Sequence, residues 1–228
     1  MTQTLIVAGF GPGISAAVAD TFGKAGFQVA LVARNAERLA AGVKDLTRKG
    51  ITAKAFTADL ANPAQAAWVV GEVRNALGSV SALHWNAYGG GAGDLLNSDP
   101  SAIRAALDIG TTSLLAAIKE ALPDLKATRG SVLVTNGGLG YFDPKMDAMA
   151  VQFGSMGLAM VNAAKHKLVG LMNERLKRDG VYVGEVTVLG LVKGTAFDNG
   201  HATLAPATIA AKFWELHTAR APVYVQVG

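Results

Sequence analysis

Short apolar runs alternate with longer helical patterns along the whole 228-residue chain. Runs such as Val29-Ala30-Leu31-Val32 and Val132-Leu133-Val134 are apolar at every position, which is typical of parallel strands that helices bury on both faces. The alternation predicts an α/β fold with a doubly wound, seven-stranded parallel sheet and right-handed crossovers. We predict strands at about 3–8, 27–33, 51–57, 80–86, 130–136, 181–189 and 222–227, and helices at about 13–25, 36–49, 63–77, 99–127, 150–179 and 206–217.

Composition favours one domain and excludes several kinds of site. Half of the residues are hydrophobic, which is enough for a sizeable core. Neither a Pro/Gly/Ser-rich linker nor a shift in composition divides the chain, so we expect a single domain over residues 1–228. The chain has no cysteine, which excludes a disulfide framework, a thiolate metal site and a cysteine nucleophile.

Charge and hydropathy bear on location and partners. The net charge is +4, but the basic residues are scattered without interleaved aromatic residues, so nothing supports a nucleic-acid surface. The most apolar long run, 156–172, carries Lys165, His166 and Lys167, which a membrane span would not place there. The first residues lack a basic region and a cleavage signal. We therefore expect a cytoplasmic protein that binds neither nucleic acid nor membrane.

A glycine-rich loop, Gly9-Phe10-Gly11-Pro12-Gly13, joins the first predicted strand to the first predicted helix. Glycine allows a tight turn at position 9, and the missing side chain of Gly13 lets the backbone come close to a diphosphate. The unpaired N–H groups and the positive end of the following helix would face the phosphate oxygens. The loop predicts a dinucleotide phosphate site, and the alternative is a glycine-rich turn without a ligand.

Arg34 closes the second predicted strand, and Asn35 begins the second helix. In a nucleotide-binding β-α-β unit, the residue at the end of this strand meets the adenosine ribose. A carboxylate there would bind the 2′-hydroxyl, whereas an arginine binds a 2′-phosphate. Arg34 therefore favours a phosphorylated dinucleotide, with an exposed arginine at a helix start as the alternative interpretation.

Nearly the whole chain resembles the short-chain dehydrogenase/reductase family. Ala8 to Ser15 is similar to the family's Thr-Gly-x-x-x-Gly-Ile-Gly loop, and Val32-Ala33-Arg34 is similar to the strand end of NADP-preferring members. Further similarities lie at Ala58-Asp59-Leu60, at Trp85-Asn86-Ala87-Tyr88 and at Val188-Leu189-Gly190 followed by Thr195. The resemblance implies a Rossmann-type domain that binds NADP through Gly9, Phe10, Gly11, Gly13, Ile14, Arg34, Asp59, Leu60, Asn86, Ala87, Lys165, Gly190, Val192 and Thr195.

The family's catalytic set of Asn, Ser, Tyr and Lys is reduced here to its lysine. Lys165-His166-Lys167-Leu168 resembles the run that begins with the family's catalytic lysine. By the same resemblance, Val161 takes the tyrosine position, Gly137 the serine position and Gly110 the asparagine position. Valine and glycine side chains can neither donate nor accept a proton. The resemblance therefore implies an atypical member.

Other residues near these positions are candidates for the missing groups. Tyr141 follows the fifth predicted strand and is, with Lys165, our candidate for the catalytic set; the alternative is a packing aromatic beside Phe142. Asn136 and Asn162 are able to orient an oxygen but are poor general acids.

The histidines and acidic residues predict no metal site, because no His/Asp/Glu cluster has metal-ligand spacing. We assign His84 to the core or to a strand end. His166 follows Lys165 on the helix and is expected to point away from the face that carries the lysine. His201 lies in the C-terminal segment and is a candidate for a lid over the pocket.

Two functions of different classes remain open. The first is an atypical NADP-dependent oxidoreductase with an unidentified small-molecule substrate, in which Lys165 holds the ribose and Tyr141, His201 or a water serves as the acid. The second is a catalytically silent protein that senses NADP(H) or holds a partner. The methionines between 146 and 160 fit a core or subunit contact, or an apolar substrate lid. By the resemblance, the long predicted helices imply a homodimer or homotetramer.

Overall fold

The structure, a computed structural model, describes residues 3–89 and 93–228. The strands are β1 (Thr4–Ala8), β2 (Gln28–Ala33), β3 (Ala53–Thr57), β4 (Val80–Trp85), β5 (Ser131–Gly137), β6 (Tyr182–Val188) and β7 (Tyr224–Val227). The helices are α1 (Ile14–Lys24), α2 (Ala36–Arg48), α3 (Pro63–Leu77), α4 (Pro100–Leu107), α5 (Ser113–Thr128), α6 (Pro144–Gln152), α7 (Met156–Leu176) and α8 (Pro206–Ala219). All strands are parallel in one sheet of order β3-β2-β1-β4-β5-β6-β7, which confirms the predicted doubly wound fold.

Successive residues of β1 show how the sheet divides the core. Ile6 and Ala8 belong to the cluster beneath α3 and α5, whereas Leu5 and Val7 belong to the cluster beneath α1 and α8. Every residue of β1 is buried, because helices cover both faces of the sheet. The chain order reverses between β1 and β4, and ligands of such sheets bind at the carboxyl ends of the strands next to this point.

The predicted helix 99–127 forms one continuous helical segment, Pro100–Thr128, in which a π-helical turn at Asp108–Thr112 joins α4 to α5. A Cβ added to Gly110 in this turn would come within 2.3 Å of Cγ1 of Val161 on α7. The turn therefore packs directly against α7. Such turns insert one extra residue into a helix. Here the turn packs against α7, which is distant in the chain, so the sequence of 99–127 alone does not reveal the turn.

The predicted helix 150–179 is wrong at its start. A separate helix, α6, comes first and is capped by the side chain of Asp143, and α7 begins only at Met156. Between them Gly154 has a φ of +57°, which interrupts a right-handed helix. The pair Asp143-Pro144 is the same cap-and-proline signal that opens α3 at Asn62-Pro63, so the start of α6 was readable from the sequence.

One segment of the described chain, Pro100–Thr128, is long and apolar enough to cross a membrane by length and composition alone. The π-helical turn divides it, and α5 in its second half packs against β4 and α3. Leu114, Ile118 and Leu125 of α5 are buried in the core. Packing within the domain thus accounts for the apolar composition of α5.

Candidate functional site

The glycine loop after β1 runs against two other loops at the carboxyl edge of the sheet. Gly9 has a φ of +83° and Gly13 a φ of +88°, a region that favours glycine. A Cβ on Gly9 would lie 2.5 Å from the backbone N of Ala87, and a Cβ on Gly13 would lie 2.5 Å from Cγ2 of Thr195. Both positions therefore require glycine for conformation and for space, and the loop presents bare backbone along this edge.

Hydrogen bonds hold this loop in shape. The N–H groups of Gly9 and Phe10 both donate to Val32 O, each at 2.9 Å. Ser15 Oγ accepts from Gly11 N at 2.9 Å and donates to Gly11 O at 3.0 Å. Among residues 3–89 and 93–228, no side chain caps the start of α1, so the first N–H groups of this 11-residue helix retain their capacity to bind an anion.

Two arginines lie beside the glycine loop. Arg34 directly follows β2, and Nη1 of Arg38 lies 3.9 Å from where a Cβ on Gly11 would stand. Asn35 caps α2 by accepting the Arg38 N–H at 2.7 Å. Both arginines are exposed, and neither forms an ion pair within residues 3–89 and 93–228. The sequence analysis did not name Arg38, which lies in the first turn of α2 after the Asn35 cap.

The loop after β3 carries Asp59 and Leu60. The Asp59 carboxylate accepts from Ala61 N at 3.1 Å, and the Asp59 N–H donates to Gln65 Oε1 at 2.8 Å. Leu60 is buried in the core cluster on the α3 face. These bonds fix the half-buried carboxylate of Asp59 at the end of the strand next to β2.

The loop after β4 contacts both the glycine loop and the segment after β6. The Asn86 N–H donates to Ala8 O at 2.8 Å, and Asn86 Nδ2 donates to Gly9 O at 3.5 Å. The ring of Tyr88 lies 5.6 Å from the ring of Phe197, between centroids. The structure therefore brings Asn86 directly onto the glycine loop.

The segment between β6 and α8 folds back over the same edge. Val192 pairs with Leu204 in an isolated parallel bridge, and a Cβ on Gly190 would lie 3.2 Å from Cδ1 of Leu204. Thr195 Oγ1 donates to Val192 O at 2.8 Å, while the Thr195 methyl group packs on Gly13. Gly190, Val192 and Thr195 thus form one closing segment, residues 190–204, that contacts the glycine loop through Thr195.

Lys165 lies on α7, which packs against β5 and β6. Only 3% of Lys165 is exposed. Burial lowers the pKa of Lys165 to about 8, and the charge of Glu185 acts in the opposite direction. Its Nζ has no hydrogen bond or ion pair within the described ranges. A buried lysine whose pKa is strongly lowered by desolvation is a candidate for a functional site.

Tyr141 is turned toward β7. Its hydroxyl accepts from Gln226 Nε2 at 3.0 Å, and its ring meets His166 edge-on at 5.7 Å between centroids. Phe142, the expected packing neighbour, is 97% exposed. Tyr141 therefore packs as an aromatic side chain in this structure, but against His166 and Gln226.

A fully buried carboxylate, Glu185, lies beneath α7. Its Oε1 accepts from His166 Nδ1 at 2.8 Å and from Thr187 Oγ1 at 2.7 Å, and its Oε2 accepts from Asn136 Nδ2 at 3.0 Å. The charge of Glu185 also acts on Lys165, so one carboxylate influences both the lysine and His166. The sequence analysis expected His166 to point away from the face that carries the lysine and did not predict this common neighbour. The sequence analysis missed Glu185, since it stands inside a strand without a motif.

The positions that the resemblance gives to Tyr, Ser and Asn form two contacts. Val161 is buried and meets Gly110 across the π-helical turn. Gly137 is the last residue of β5, and a Cβ on it would lie 2.9 Å from Nδ2 of Asn162. Val161 and Gly110 are thus fitted to each other, whereas Gly137 packs against Asn162.

The remaining histidines lie apart from Lys165 in different surroundings. His84 is fully buried with Nε2 at 3.0 Å from Thr135 Oγ1, and burial lowers its pKa to about 3, which confirms its assignment to the core. Burial, with a smaller effect of Arg220, lowers the pKa of His217 to about 4. His201 is exposed. Within the described chain, no three His, Cys, Asp or Glu residues are placed to hold a metal.

Comparison with known families decides the classification. A family model described as short chain dehydrogenase matches residues 3–199. The chain belongs to the short-chain dehydrogenase family. A curated short-chain dehydrogenase relative, the hydroxysteroid 11-beta-dehydrogenase 1-like protein of Danio rerio, is 30% identical over 138 residues. The match covers 60% of this chain and 48% of that protein, so this short-chain dehydrogenase spans about half the length of the curated relative.

Solved structures share the fold over almost their whole length. A metagenomic short-chain oxidoreductase in complex with NADP has a TM-score of 0.81 at 22% identity, covering 99% of this chain and 95% of that one. A metagenomic blue fluorescent protein in complex with NADPH has a TM-score of 0.85 at 22% identity, with coverages of 99% and 96%. An NADPH-bound short-chain oxidoreductase of Pseudomonas aeruginosa with an atypical catalytic center has a TM-score of 0.82 at 20% identity, with coverages of 98% and 94%.

Proposed function

We propose that this short-chain dehydrogenase is an NADP(H)-dependent oxidoreductase with a small-molecule substrate, and that residues 1–228 form a single dinucleotide-binding domain. The observation that carries the proposal is the glycine loop. Gly9 and Gly13 are held in glycine-only conformations against two other loops, next to an uncapped helix start. This arrangement lets a diphosphate approach the backbone and the helix N–H groups directly.

Arg34 and Arg38 support the phosphorylated form of the cofactor. Both arginines are exposed, and the Arg38 guanidinium lies beside the glycine loop. Arginine is suited to bind a phosphate through two parallel hydrogen bonds. Several solved structures of the same fold contain NADP or NADPH. We assign cofactor binding to Gly9, Phe10, Gly11, Gly13, Ile14, Arg34, Arg38, Asp59, Leu60, Asn86, Ala87, Lys165, Gly190, Val192 and Thr195.

Lys165 is the protein group that we assign to proton transfer. When bound, NADPH supplies the hydride, and the oxygen of a reduced carbonyl group then requires a proton. Burial lowers the pKa of Lys165 to about 8, and a pKa close to neutral pH favours a role as general acid. Tyr141 remains a weaker candidate, because its hydroxyl is hydrogen-bonded to Gln226 on β7.

A second function, a catalytically silent NADP(H) sensor or partner-binding protein, is favoured by a different observation. The side chain of Val161 fills the space over Gly110, so the sites of two family catalytic groups hold apolar packing. An enzyme without the Tyr, Ser and Asn side chains loses the usual acid and the usual hydrogen-bond donors. Cofactor binding would then be the whole function.

Two measurements distinguish these functions. Calorimetric titration with NADPH tests the cofactor site, and NADPH consumption with a panel of aldehydes, ketones and imines tests the chemistry. We expect binding, and turnover that falls by about 10²–10⁴-fold in Lys165→Met, the usual effect of general acid catalysis. Binding without consumption supports the silent protein, and no binding contradicts both.

We also propose that the protein is a cytoplasmic homodimer or homotetramer. Apolar side chains remain exposed on α5 and α7, namely Leu115 at 36% and Leu171 at 55%. Closed symmetric assemblies are the usual way to cover such residues. Light scattering of the purified chain measures the mass directly, and a monomer at micromolar concentration would contradict the assembly.

A further inference from the structure

The amide of Asn162 occupies the space where a side chain on Gly137 would lie. Asn162 stands on α7, three residues before Lys165, so both side chains lie on neighbouring parts of one helix face. Its Nδ2 is 2.9 Å from the position of a Cβ on Gly137. Only 4% of Asn162 is exposed, and within the described residues neither amide atom forms a hydrogen bond.

The backbone of Asn162 is fixed although its amide is unpaired. Asn136 Nδ2 donates to the carbonyl oxygen of Asn162 at 3.0 Å. A Cβ on Gly140 would lie 2.5 Å from Ala163 N and 2.6 Å from the carbonyl carbon of Asn162. This close packing against the turn after β5 leaves the helix little freedom to shift. The amide is therefore held at a defined place with its hydrogen-bonding capacity unused.

Asn162 is buried as a residue, but its amide atoms are not among the side-chain atoms of the described residues that are sealed from solvent without a partner. The amide is thus reachable, and a ligand that supplies an acceptor would satisfy it. The site lies at the carboxyl end of β5, the edge at which doubly wound sheets bind ligands. Both facts indicate a ligand atom as the partner of Asn162.

We propose that Asn162 Nδ2, which fills the space beside Gly137, donates the hydrogen bond that holds the carbonyl oxygen of the substrate. This role rests on the proposed oxidoreductase function. Reduction adds the hydride from the cofactor to the carbonyl carbon and a proton from Lys165 to the oxygen, so that the C=O double bond becomes an alcohol and the cofactor is oxidised. Asparagine cannot release a proton under these conditions, so Asn162 holds and polarises the oxygen while Lys165 protonates it.

Benzamide, whose carbonyl group this chemistry does not reduce, tests the hydrogen bond without turnover. Calorimetric titration of the NADP⁺-saturated full chain measures its affinity. We expect Asn162→Ala to weaken benzamide binding about tenfold or more, the usual effect of losing one hydrogen bond in a buried site. The affinity for NADPH, titrated separately, should be unchanged, since Asn162 is not among the residues that we assign to cofactor binding.

A rescue variant separates a ligand contact from a packing role. Gly137→Ser alone should also weaken benzamide binding, because its side chain would crowd Asn162 Nδ2. In Gly137→Ser/Asn162→Ala the serine enters the vacated space with a new hydroxyl donor, and most of the lost affinity should return. Asn173→Ala is the matched control, since Asn173 lies about three turns further along the same helix and accepts from Val183 N at 3.4 Å.

Three results would overturn the role of Asn162: unchanged benzamide affinity in Asn162→Ala, an equal loss in Asn173→Ala, or no binding of benzamide to the parent protein. Should Asn162→Ala not fold, Asn162→Asp replaces it, because it keeps the shape and exchanges the donor for an acceptor. The proposed function is judged separately by NADPH binding and consumption in the parent protein. If NADP⁺ does not bind, the same benzamide titrations are made on the free chain and are judged in the same way.

Discussion

At the scale of the residue, burial determines how Lys165 titrates. Its pKa in the folded chain, about 8, lies below the ordinary 10.5 because desolvation disfavours the ammonium. The unfolded chain therefore binds more protons between these two values, and the folded state gains stability as the pH rises through this window. Below it, the ammonium is present in both states and the penalty of burying it is complete.

The comparison of the parent with Lys165→Met isolates this effect. Between about pH 7.5 and pH 9.5, the unfolding free energy of the parent should rise relative to that of the variant by about 2 kcal/mol. Urea denaturation at the two pH values provides the four free energies. Glu185 and His166, the titratable neighbours of the lysine, are present in both proteins, so much of their own pH dependence cancels. A difference that does not change with pH would show that Lys165 is not a buried ammonium.

A second residue-level prediction concerns the arginines beside the glycine loop. Arg34→Ala should weaken NADPH binding about 10- to 100-fold, the range for loss of a charge-assisted hydrogen bond, with a much smaller effect on NADH. Arg38→Ala should act in the same direction. Arg48→Ala is the control, because Arg48 lies at the other end of α2 and pairs with Asp45 at 2.8 Å. Calorimetry with both cofactors measures the ratio, and equal losses for NADPH and NADH would argue against a 2′-phosphate contact.

At the scale of the element, the π-helical turn depends on a helix far away in the chain. A Cβ on Gly110 would approach Cγ1 of Val161 to 2.3 Å, so Gly110→Ala should destabilise the fold by about 1–3 kcal/mol through overpacking. Adding Val161→Ala should recover part of this loss, because the opposing methyl groups are removed. Denaturant titrations of the two single variants and the double variant give the coupling energy.

Gly71 provides the control for this cycle. It also lies within a helix, α3, but a Cβ there meets nothing within 4 Å. Gly71→Ala should therefore stabilise the protein by about 0.5–1 kcal/mol through helix propensity. Opposite signs at the two glycines are expected, and equal effects would contradict close packing at the π-helical turn.

An element could be predicted from the sequence where the cause of its structure is local in the chain. The strands were predicted to within one or two residues, and for the central strands, such as β1 and β4, burial on both faces leaves a local apolar pattern. The start of α6 carried a local signal at Asp143-Pro144 that the sequence analysis did not use. The π-helical turn at Gly110 and the position of the Asn162 side chain beside Gly137 depend on contacts between distant parts of the chain. Such contacts leave no periodicity in the sequence.

At the scale of the whole molecule, the exposed apolar residues on α5 and α7 predict how copies associate. Leu171→Lys on α7 should shift the protein toward smaller assemblies, because burying a charge at an interface is unfavourable. Trp68→Lys on α3 is a matched control, since Trp68 and Leu171 are each 55% exposed. Light scattering over a range of protein concentrations measures the mass of both variants. Equal masses would place the interface elsewhere.

The central position of β1 has a consequence for the order of events during synthesis. Val7 pairs with Leu31 on one side and with His84 on the other. During synthesis, β1 therefore cannot pair with its second neighbour, β4, until residues 80–85 have been made. Ala87 and Thr195, which press on Gly9 and Gly13, emerge from the ribosome later still. A nascent chain that ends before Thr195 has every strand of the sheet except β7 but lacks a wall of the glycine loop, so the proposed nucleotide site is complete only after residue 195 has been made.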